Sequence, residues 1–372
     1  MGSRFLDKFR RITYSTNYVP EIDGLRFLAI FAVVVVMHIP GYMNEKLYAG
    51  TLIEDRYWKN VVVGGGGGVT LFFMISGFIL SLPFARWRLK AGKPIRLREY
   101  YLRRLTRLEP PYLIALTIFF AADVWLLGRH SFSQLLPHFF ASAVYVHNFV
   151  YNSFSWILPV AWSLEVEVQF YLLAPLFFLV FLIRKNWLRW LIYLLVIIPA
   201  SFYWFDTWTI PHVFKFIHAF VYGIMLADLY CCGVQLIRNQ IVGFVFGMAA
   251  LAGFIFIPSL DNQFAYVLRI FCMFLLFHLV LTNDGMKRVF SLKGITLIGG
   301  MCYSIYLLHF ATISVAGRLL MRSGISVDDP LYFIPLAISL TLAVLVISAV
   351  YFLFVEKPFM KPFQFFRKEQ RS

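Results

Sequence analysis

The stretch EIDGLRFLAIFAVVVVMHIP, residues 21–40, decides the fold of this chain. Eleven consecutive apolar residues separate Arg26 from His38. On a helix that rises about 1.5 Å per residue, His38 lies roughly 18 Å above Arg26, inside a hydrocarbon layer about 30 Å thick. An ionisable side chain at that depth costs free energy, so it needs a partner or a purpose. The stretch predicts a first membrane-spanning helix that carries a functional histidine.

The composition of the whole chain is typical of a polytopic membrane protein. Of its 372 residues 60% are hydrophobic and only 14% are charged, and the mean hydropathy is +0.73. So little charge could not cover the surface of a soluble protein of this size. The formal net charge of +15 collects in a few loops between apolar runs, which is typical of cytoplasmic loops. We therefore expect an all-α membrane protein in contact with the lipid bilayer, without a nucleic-acid partner.

Ten apolar runs are long enough to cross a bilayer. They lie near 25–43, 67–84, 108–127, 164–183, 187–205, 212–232, 240–257, 264–282, 297–320 and 331–354. The basic loop 85–107 is assigned to the cytoplasm because it holds nine lysines and arginines against one acid. The next basic group, Arg184, Lys185 and Arg189, is then cytoplasmic only if the segment near 132–150 does not cross.

The segment near 132–150 is therefore expected to be re-entrant or interfacial on the outer side of the membrane. Ten crossings place both termini in the cytoplasm. The chain then divides into a basic N-terminal segment, 1–20, a transmembrane domain, 21–359, and a basic tail, 360–372.

Five consecutive glycines, Gly64 to Gly68, stand just before the second apolar run. A phosphate-binding loop would need a following Lys-Ser/Thr, which is missing here. We expect instead a structural hinge, where the backbone bends or approaches a neighbour closely.

The candidate catalytic residues are His38 and one of two glutamates. A histidine has the pKa range to take a proton from a hydroxyl nucleophile and to return it; the structural alternative is a neutral histidine bonded to a neighbouring helix. Glu165 and Glu167 stand two residues apart, which turns them about 200° from each other on a helix, so one cavity holds at most one of them. The inward carboxylate could orient an imidazole, whereas a helix N-terminus is enough to explain the outward one.

The candidate anion-binding residues are Arg103, Arg104 and Arg107 at the start of the third run. Arg104 and Arg107 form a patch suited to phosphates on a helix, although retention of a basic loop in the cytoplasm also explains single arginines. Supporting polar residues in the spans are Ser76, Ser304, Tyr306 and His309, of which the two serines are also common as helix-packing residues. No metal is predicted, since the four cysteines show no ligand spacing.

Six segments in order resemble the acyltransferase-3 family of bacterial membrane acyltransferases. They are EIDGLRFLAIFAVVVVMH, VTLFFMISGFIL, RRLTRLEPPY, WSLEVEVQFYLL, MCYSIYLLHF and EKPF, from about Glu21 to Phe359. The resemblance implies transfer of an acyl group, usually acetyl, from cytoplasmic acyl-CoA. The acceptor would be a hydroxyl of a carbohydrate or glycolipid at the outer side of the bacterial cytoplasmic membrane. No extracellular SGNH-type domain follows residue 359, so the transferase core is expected to stand alone.

The resemblance also implies roles for single residues. His38 would be the catalytic base and Glu167 the carboxylate of the WSL motif, while Arg26, Arg104 and Arg107 would hold acetyl-CoA, the acyl-donor co-substrate. The family commonly places ten residues between the arginine and the histidine, and this chain has eleven, which turns the two side chains about 120° apart on a regular helix. A single π-bulge in the first span would restore their alignment.

The competing hypothesis is a proton-coupled transporter or flippase of a glycan or lipid precursor, because intramembrane His and Glu also serve proton coupling. Direct transfer is preferred to a covalent acyl-enzyme. The acceptor, the acyl chain length and the oligomeric state are not read from the sequence.

Overall fold

The computed structural model of the chain describes residues 7–12, 18–47, 53–202, 210–257, 262–322 and 332–360. Much of the predicted N-terminal segment 1–20, and all of the tail 360–372 except Met360, lie outside these residues. Within them the chain is helical and contains no strand. The helices are α1 Pro20–Leu47, α2 Arg56–Gly64, α3 Gly67–Leu89, α4 Leu97–Ala121, α5 Phe132–Ala143, α6 His147–Tyr151, α7 Trp162–Phe177, α8 Asn186–Ser201, α9 Ile217–Cys232, α10 Gln240–Phe256, α11 Gln263–Thr282, α12 Asp284–Phe290, α13 Lys293–Gly300, α14 Cys302–Arg322, α15 Phe333–Tyr351 and α16 Lys357–Phe359.

Polar residues in the loops start several of these helices. The side chains of Asp55, Asn239 and Asn262 accept hydrogen bonds from backbone N–H groups in the first turns of α2, α10 and α11. Ser131 and Gln134 form a capping box at α5. Each cap satisfies N–H groups that have no partner within their own helix.

Within the described residues, each of the ten predicted apolar runs contains a helix, and the run 297–320 is divided between α13 and α14. Seven helical stretches in the described residues are long and apolar enough to cross a membrane: Pro20–Leu47, Arg56–Leu89, Leu97–Leu127, Pro159–Leu182, Gln263–Thr282, Cys302–Leu320 and Phe333–Phe359. The other three, α8, α9 and α10, are apolar helices of 16 or 17 residues, or about 24–26 Å, slightly short of the hydrocarbon thickness. The protein is therefore an all-helical, multi-pass membrane protein, and the count of ten crossings stays a prediction.

The segment near 132–150 forms two short helices. α5 has 12 residues and α6 has five, and the chain breaks between them at Tyr145, which has a positive φ of 59°. Twelve residues rise only about 18 Å. Neither helix is long enough to cross a bilayer alone, as expected for a re-entrant or interfacial segment.

The glycine run lets the backbone approach two neighbours closely, as predicted. A Cβ on Gly65 or Gly68 would lie 2.5 Å from the Ala32 carbonyl oxygen or 2.3 Å from that of Ala29, both on α1. A Cβ on Gly64 or Gly67 would meet the Arg269 guanidinium of α11 at 2.8 and 2.9 Å. The run therefore fits between α1 and a buried arginine because it carries no side chains.

Helices α3 and α9 also touch through glycines. A Cβ on Gly77 would lie 2.2 Å from the carbonyl oxygen of Phe220, and one on Gly223 would lie 2.1 Å from that of Met74. Small residues that let backbones meet are typical of packing between membrane helices. This contact fixes α3, which forms one wall of the site described below.

A buried ion pair ties α8 to α9. Arg189 is fully buried and donates from Nε and Nη2 to the two carboxylate oxygens of Asp228, at 2.6 and 2.7 Å. Tyr193 donates to the same carboxylate at 3.0 Å. Arg189, which the sequence pattern groups with the charges of a loop, thus lies inside the helix bundle.

The glycine contact between α3 and α9 makes a testable prediction. Gly77→Ala and Gly223→Ala should each lower the free energy of unfolding by about 1–3 kcal/mol, because overpacking forces the backbones apart. Thermal unfolding of the purified protein in detergent measures the effect. Gly41→Ala is the matched control, since nothing lies within 4 Å of a Cβ at that helical position. Equal unfolding temperatures for all three variants would contradict this packing.

Candidate active site

The first helix leaves the α-helical path just before His38. Residues Ala32–His38 form a π-helical segment, and the N–H of Ile39 donates to the carbonyl oxygen of Val34, five residues back. The predicted π-bulge between Arg26 and His38 is therefore confirmed. It takes up the extra residue, so the register from Arg26 to His38 approaches that of a regular helix with ten intervening residues.

His38 forms a pair with His309 of α14. Nδ1 of His38 lies 2.8 Å from Nε2 of His309. Nδ1 of His309 lies 3.1 and 2.8 Å from the carbonyl oxygens of Ile305 and Tyr306. His309 is fully buried, whereas His38 is partly exposed. The imidazole partner of His38 is thus a histidine, not the glutamate that the sequence suggested.

The hydrogen bonds of this pair assign its protons. Carbonyl oxygens only accept, so Nδ1 of a neutral His309 carries a proton and its Nε2 is an acceptor. Nδ1 of His38 must then donate to His309, which leaves a lone pair on Nε2 of His38. That nitrogen makes no hydrogen bond to any residue that the structure describes. The pair therefore holds His38 in the tautomer of a general base.

A cavity of about 130 Å³ lies among α1, α3, α4, α7 and α14. Four arginines and two carboxyls line it, together with serine, cysteine, tyrosine and apolar side chains. The arginines are Arg11, Arg26, Arg104 and Arg107, and the carboxyls are Glu167 and Glu356. Such an excess of guanidinium groups is suited to an anionic ligand such as a phosphate.

Asp23 organises the basic end of the cavity. Its carboxylate accepts from Arg26 at 2.6 Å, from Arg11 at 3.2 Å and from the Tyr18 hydroxyl at 2.8 Å. Burial, and then the Asp23 charge, raise the pKa of Tyr18, which keeps Tyr18 protonated as a donor. Arg11 was not among the predicted site residues, because its sequence neighbourhood shows only a basic segment.

Two of the cavity arginines keep unused donors. The Nε atoms of Arg11 and Arg104 are buried and have no hydrogen-bond partner among the described residues. A buried donor without a partner costs free energy, which an anion in the cavity would recover.

The two carboxyls of the cavity are each held by a serine. Ser76 donates to Glu167 at 2.5 Å, and Tyr171 donates to the same oxygen. Glu356 accepts from the hydroxyl of Ser304 and from its backbone N–H at 3.1 Å. Two predicted residues, Ser76 and Glu167, thus line the cavity, and a third, Ser304, supports the lining residue Glu356 from behind.

Glu165 and Arg103, two other predicted residues, point elsewhere. Glu165 is buried and accepts from the backbone N–H of Asn148 on α6 at 3.0 Å. Helix register thus separates the two glutamates as expected. Arg103 is 70% exposed and pairs with Glu99 at 2.8 Å on the protein surface.

Tyr306 lies between the cavity and the histidine pair. Its ring lines the cavity, and its carbonyl oxygen is an acceptor of His309. Its hydroxyl hydrogen-bonds to the carbonyl of Val160 and to Ser163 Oγ, the latter at 2.7 Å. The Tyr306 ring thus lies between the arginine-lined cavity and His309.

The part of the chain that the structure describes contains no group of three or more His, Cys, Asp or Glu side chains placed to hold a metal ion.

Comparison with known proteins identifies the family of this chain. A family model described as an acyltransferase domain matches residues 19–352, so the chain belongs to the acyltransferase-3 family. The peptidoglycan O-acetyltransferase OatA of Listeria monocytogenes is 30% identical over 184 residues, which are 46% of this chain and 26% of that protein. The O-acetyltransferase OatA of Staphylococcus aureus is 25% identical over 388 residues, which are 95% of this chain and 59% of that protein.

The chain spans about three fifths of the length of the staphylococcal relatives that it matches. No solved structure matches it.

The histidine pair can be tested without an activity assay. In a chain whose native cysteines are replaced, His38→Cys combined with His309→Cys should be joined rapidly by a short thiol-specific cross-linker, because the two rings are in contact. Mass spectrometry of the cleaved protein detects the bridge. His38→Cys with His278→Cys is the control, since His278 bonds instead to the backbone N–H of Leu236. Equal bridging of both pairs would show that the histidines are not paired.

Proposed function

We propose that this protein is a membrane O-acyltransferase. It would move an acyl group, chiefly acetyl, from cytoplasmic acetyl-CoA to a hydroxyl of a carbohydrate or glycolipid at the outer side of the membrane. The observation that carries the proposal is the arginine-lined cavity, which adjoins the His38–His309 pair across the ring of Tyr306. Membership of the acyltransferase-3 family and the similarity to proteins named O-acetyltransferases support the same reaction class.

The arginines of the cavity are assigned to the donor. Coenzyme A is rich in phosphates, which guanidinium groups bind well. We assign this role to Arg11, Arg26, Arg104 and Arg107, which face the cavity, and not to Arg103, which faces solvent. Glu167 and Glu356, each bonded to a serine, would keep the remaining cavity wall polar around the pantetheine arm.

His38 is assigned to the acceptor. Its Nε2 takes the proton of the acceptor hydroxyl as the oxygen attacks the thioester carbonyl carbon. The C–S bond breaks as the new C–O ester bond forms, and the leaving thiolate receives the proton from the imidazolium. The products are the ester and free coenzyme A, so direct transfer needs no further reactant.

His309 is a positioning residue in this mechanism. Its Nε2 accepts the Nδ1 proton of His38 and so keeps the lone pair of the base on Nε2. The resulting imidazolium of His38 would keep the same hydrogen bond. His309 itself is too deeply buried to meet a substrate.

The basic loops indicate which end of the site faces the cytoplasm. With ten crossings and both termini in the cytoplasm, the arginine end of the cavity faces the cytoplasm and His38 lies in the outer half of the bilayer. The bacterial cytoplasmic membrane is the location in which acetyl-CoA and an external carbohydrate meet across one bilayer. A glycan such as peptidoglycan, which the name of the Listeria relative specifies for that protein, fits the acceptor side.

Loss of a donor arginine should weaken acetyl-CoA binding. Arg104→Ala and Arg107→Ala should each raise KM for acetyl-CoA by at least about tenfold, since a hydrogen bond to a charged group contributes about 1.5–3 kcal/mol. Transfer of radiolabelled acetyl groups in membrane vesicles measures KM. Arg103→Ala is the matched control, because it removes an exposed neighbouring arginine. Equal KM values for Arg104→Ala and Arg103→Ala would refute the donor assignment.

Loss of the base should act on kcat. His38→Ala should lower kcat by about 10²–10⁴-fold, the usual contribution of general base catalysis. His309→Ala should lower kcat less, with KM for acetyl-CoA unchanged. The base is still present in this variant, but His38 is no longer held with its proton on Nδ1. His278→Ala serves as a control for removal of an intramembrane histidine. Undiminished acceptor labelling by His38→Ala would overturn this mechanism.

A further inference from the structure

The cavity has two chemically different ends. Antiparallel helices give their order: α3 runs past the cavity from Phe72 to Leu80, α7 from Ser163 to Tyr171, and α14 in the opposite sense from Cys302 to Tyr306. Phe72, Ser163 and Tyr306 therefore lie at one level. Leu80, Tyr171 and Cys302 lie at the other, together with the arginines. The far end, next to the histidine pair, is aromatic and apolar, whereas the near end is basic.

One face of α3 lines the whole length of this cavity. Phe72, Ser76 and Ile79 follow one another at the i, i+4, i+7 spacing of a single helix face. All three are only partly buried, whereas their neighbours Phe73, Met74, Ile75, Gly77, Phe78 and Leu80 are buried. Along this face the surface changes from an aromatic ring through a hydroxyl to an aliphatic side chain.

Phe72 and Tyr306 bound the far end on the side of the histidine pair. The two rings meet edge to face, with centroids 6.4 Å apart and planes at 74°. Tyr306 cannot turn away freely, because its hydroxyl is bonded to Val160 and Ser163. The rings thus form a wall on the His309 side of the far end, and in the proposed reaction the acceptor hydroxyl at His38 must reach the thioester past the edge of this wall.

The space in front of this wall is small. The entire cavity measures about 130 Å³, whereas an engineered apolar cavity of about 150 Å³ in another protein holds one benzene molecule. The cavity is partly open, so the phosphates and the pantetheine arm can extend out of it, and the small space next to the two rings is what limits the acyl group.

We propose that Phe72, packed against Tyr306, sets the length of the acyl group that the protein accepts. The inference rests on the proposed function, because it takes the ligand to be an acyl-CoA bound with its phosphates at the arginines. The thioester then points towards the far end, and its acyl group meets the Phe72–Tyr306 wall. A two-carbon group fits in front of the wall, and each further methylene collides with the Phe72 ring.

Removing the Phe72 ring should therefore admit longer acyl groups. Wild type should prefer acetyl-CoA to butyryl-CoA by more than about tenfold in kcat/KM, as is usual when a pocket excludes a methylene. Phe72→Ala should reduce that preference by about an order of magnitude, since each methylene buried in the opened space contributes about fourfold in binding. Tyr306 is left in place in this variant, so the hydrogen bonds that support His309 remain.

The experiment compares transfer from acetyl-, propionyl- and butyryl-CoA in membrane vesicles that contain the full chain. Ile79→Ala is the matched control: it shortens an apolar side chain on the same helix face but at the basic end, so the order of preference among the three donors should stay that of wild type. Phe72→Leu, a milder change, replaces Phe72→Ala if that variant does not fold. It should shift the preference in the same direction by a smaller factor.

The possible results distinguish the role of Phe72 from the proposed acyltransferase function. A wild type that transfers acetyl while Phe72→Ala and Phe72→Leu keep its chain-length preference would overturn the role of Phe72 alone. An equal shift in Ile79→Ala would do the same, because the effect would then not belong to the far end. A wild type that transfers none of the three groups would overturn the proposed function and this inference with it.

Discussion

A polar group inside a bilayer must find its partner within the protein, and this constraint organises the whole structure. Asp23 gathers Arg11 and Arg26 at one surface of the membrane domain, and Asp228 neutralises the buried Arg189 between two helices. Arg269 donates to the carbonyl oxygens of Gly64 and Phe254, near the C-terminal ends of α2 and α10. Helix ends of that kind favour a cation. Ionisable side chains thus act here as links between helices.

At the candidate active site, several ionisable and polar groups lack such a partner in the part of the chain that the structure describes. Four guanidinium groups share the cavity with two carboxyls, two guanidinium Nε atoms keep no partner among the described residues, and Nε2 of His38 stays open. Elsewhere in the described bundle, Arg189 is satisfied by short contacts, whereas Glu165 Oε1 and His218 Nδ1 also lack a hydrogen-bond partner. Guanidinium N–H groups and an imidazole nitrogen without hydrogen-bond partners cost free energy inside a membrane. Substrates that bring a negative charge to one and a hydroxyl to the other would relieve both costs.

Local sequence patterns predicted the helices and the faces of several side chains. They did not predict which residues far apart in the sequence come into contact. Each of the ten apolar runs contains a helix within the described residues. The number of residues between Arg26 and His38 anticipated the π-helical segment, and helix register turned Glu167 rather than Glu165 towards the cavity. The partner of His38 could not be read in this way. His309 stands 271 residues away, and nothing in the spacing of either helix states which histidine faces the other. The same holds for Arg11 and Arg103, whose places depend on how distant helices pack.

The π-helical segment Ala32–His38 has a consequence for sequence comparison. It accommodates one residue more than a regular helix between fixed points at Arg26 and His38. When this chain is aligned with proteins that have one residue fewer there, the gap belongs within residues 32–38, inside an uninterrupted transmembrane helix. Alignment procedures that discourage gaps in helices would move it into the flanking loop. Arg26 or His38 would then be matched with a residue that does not occupy the same position in space.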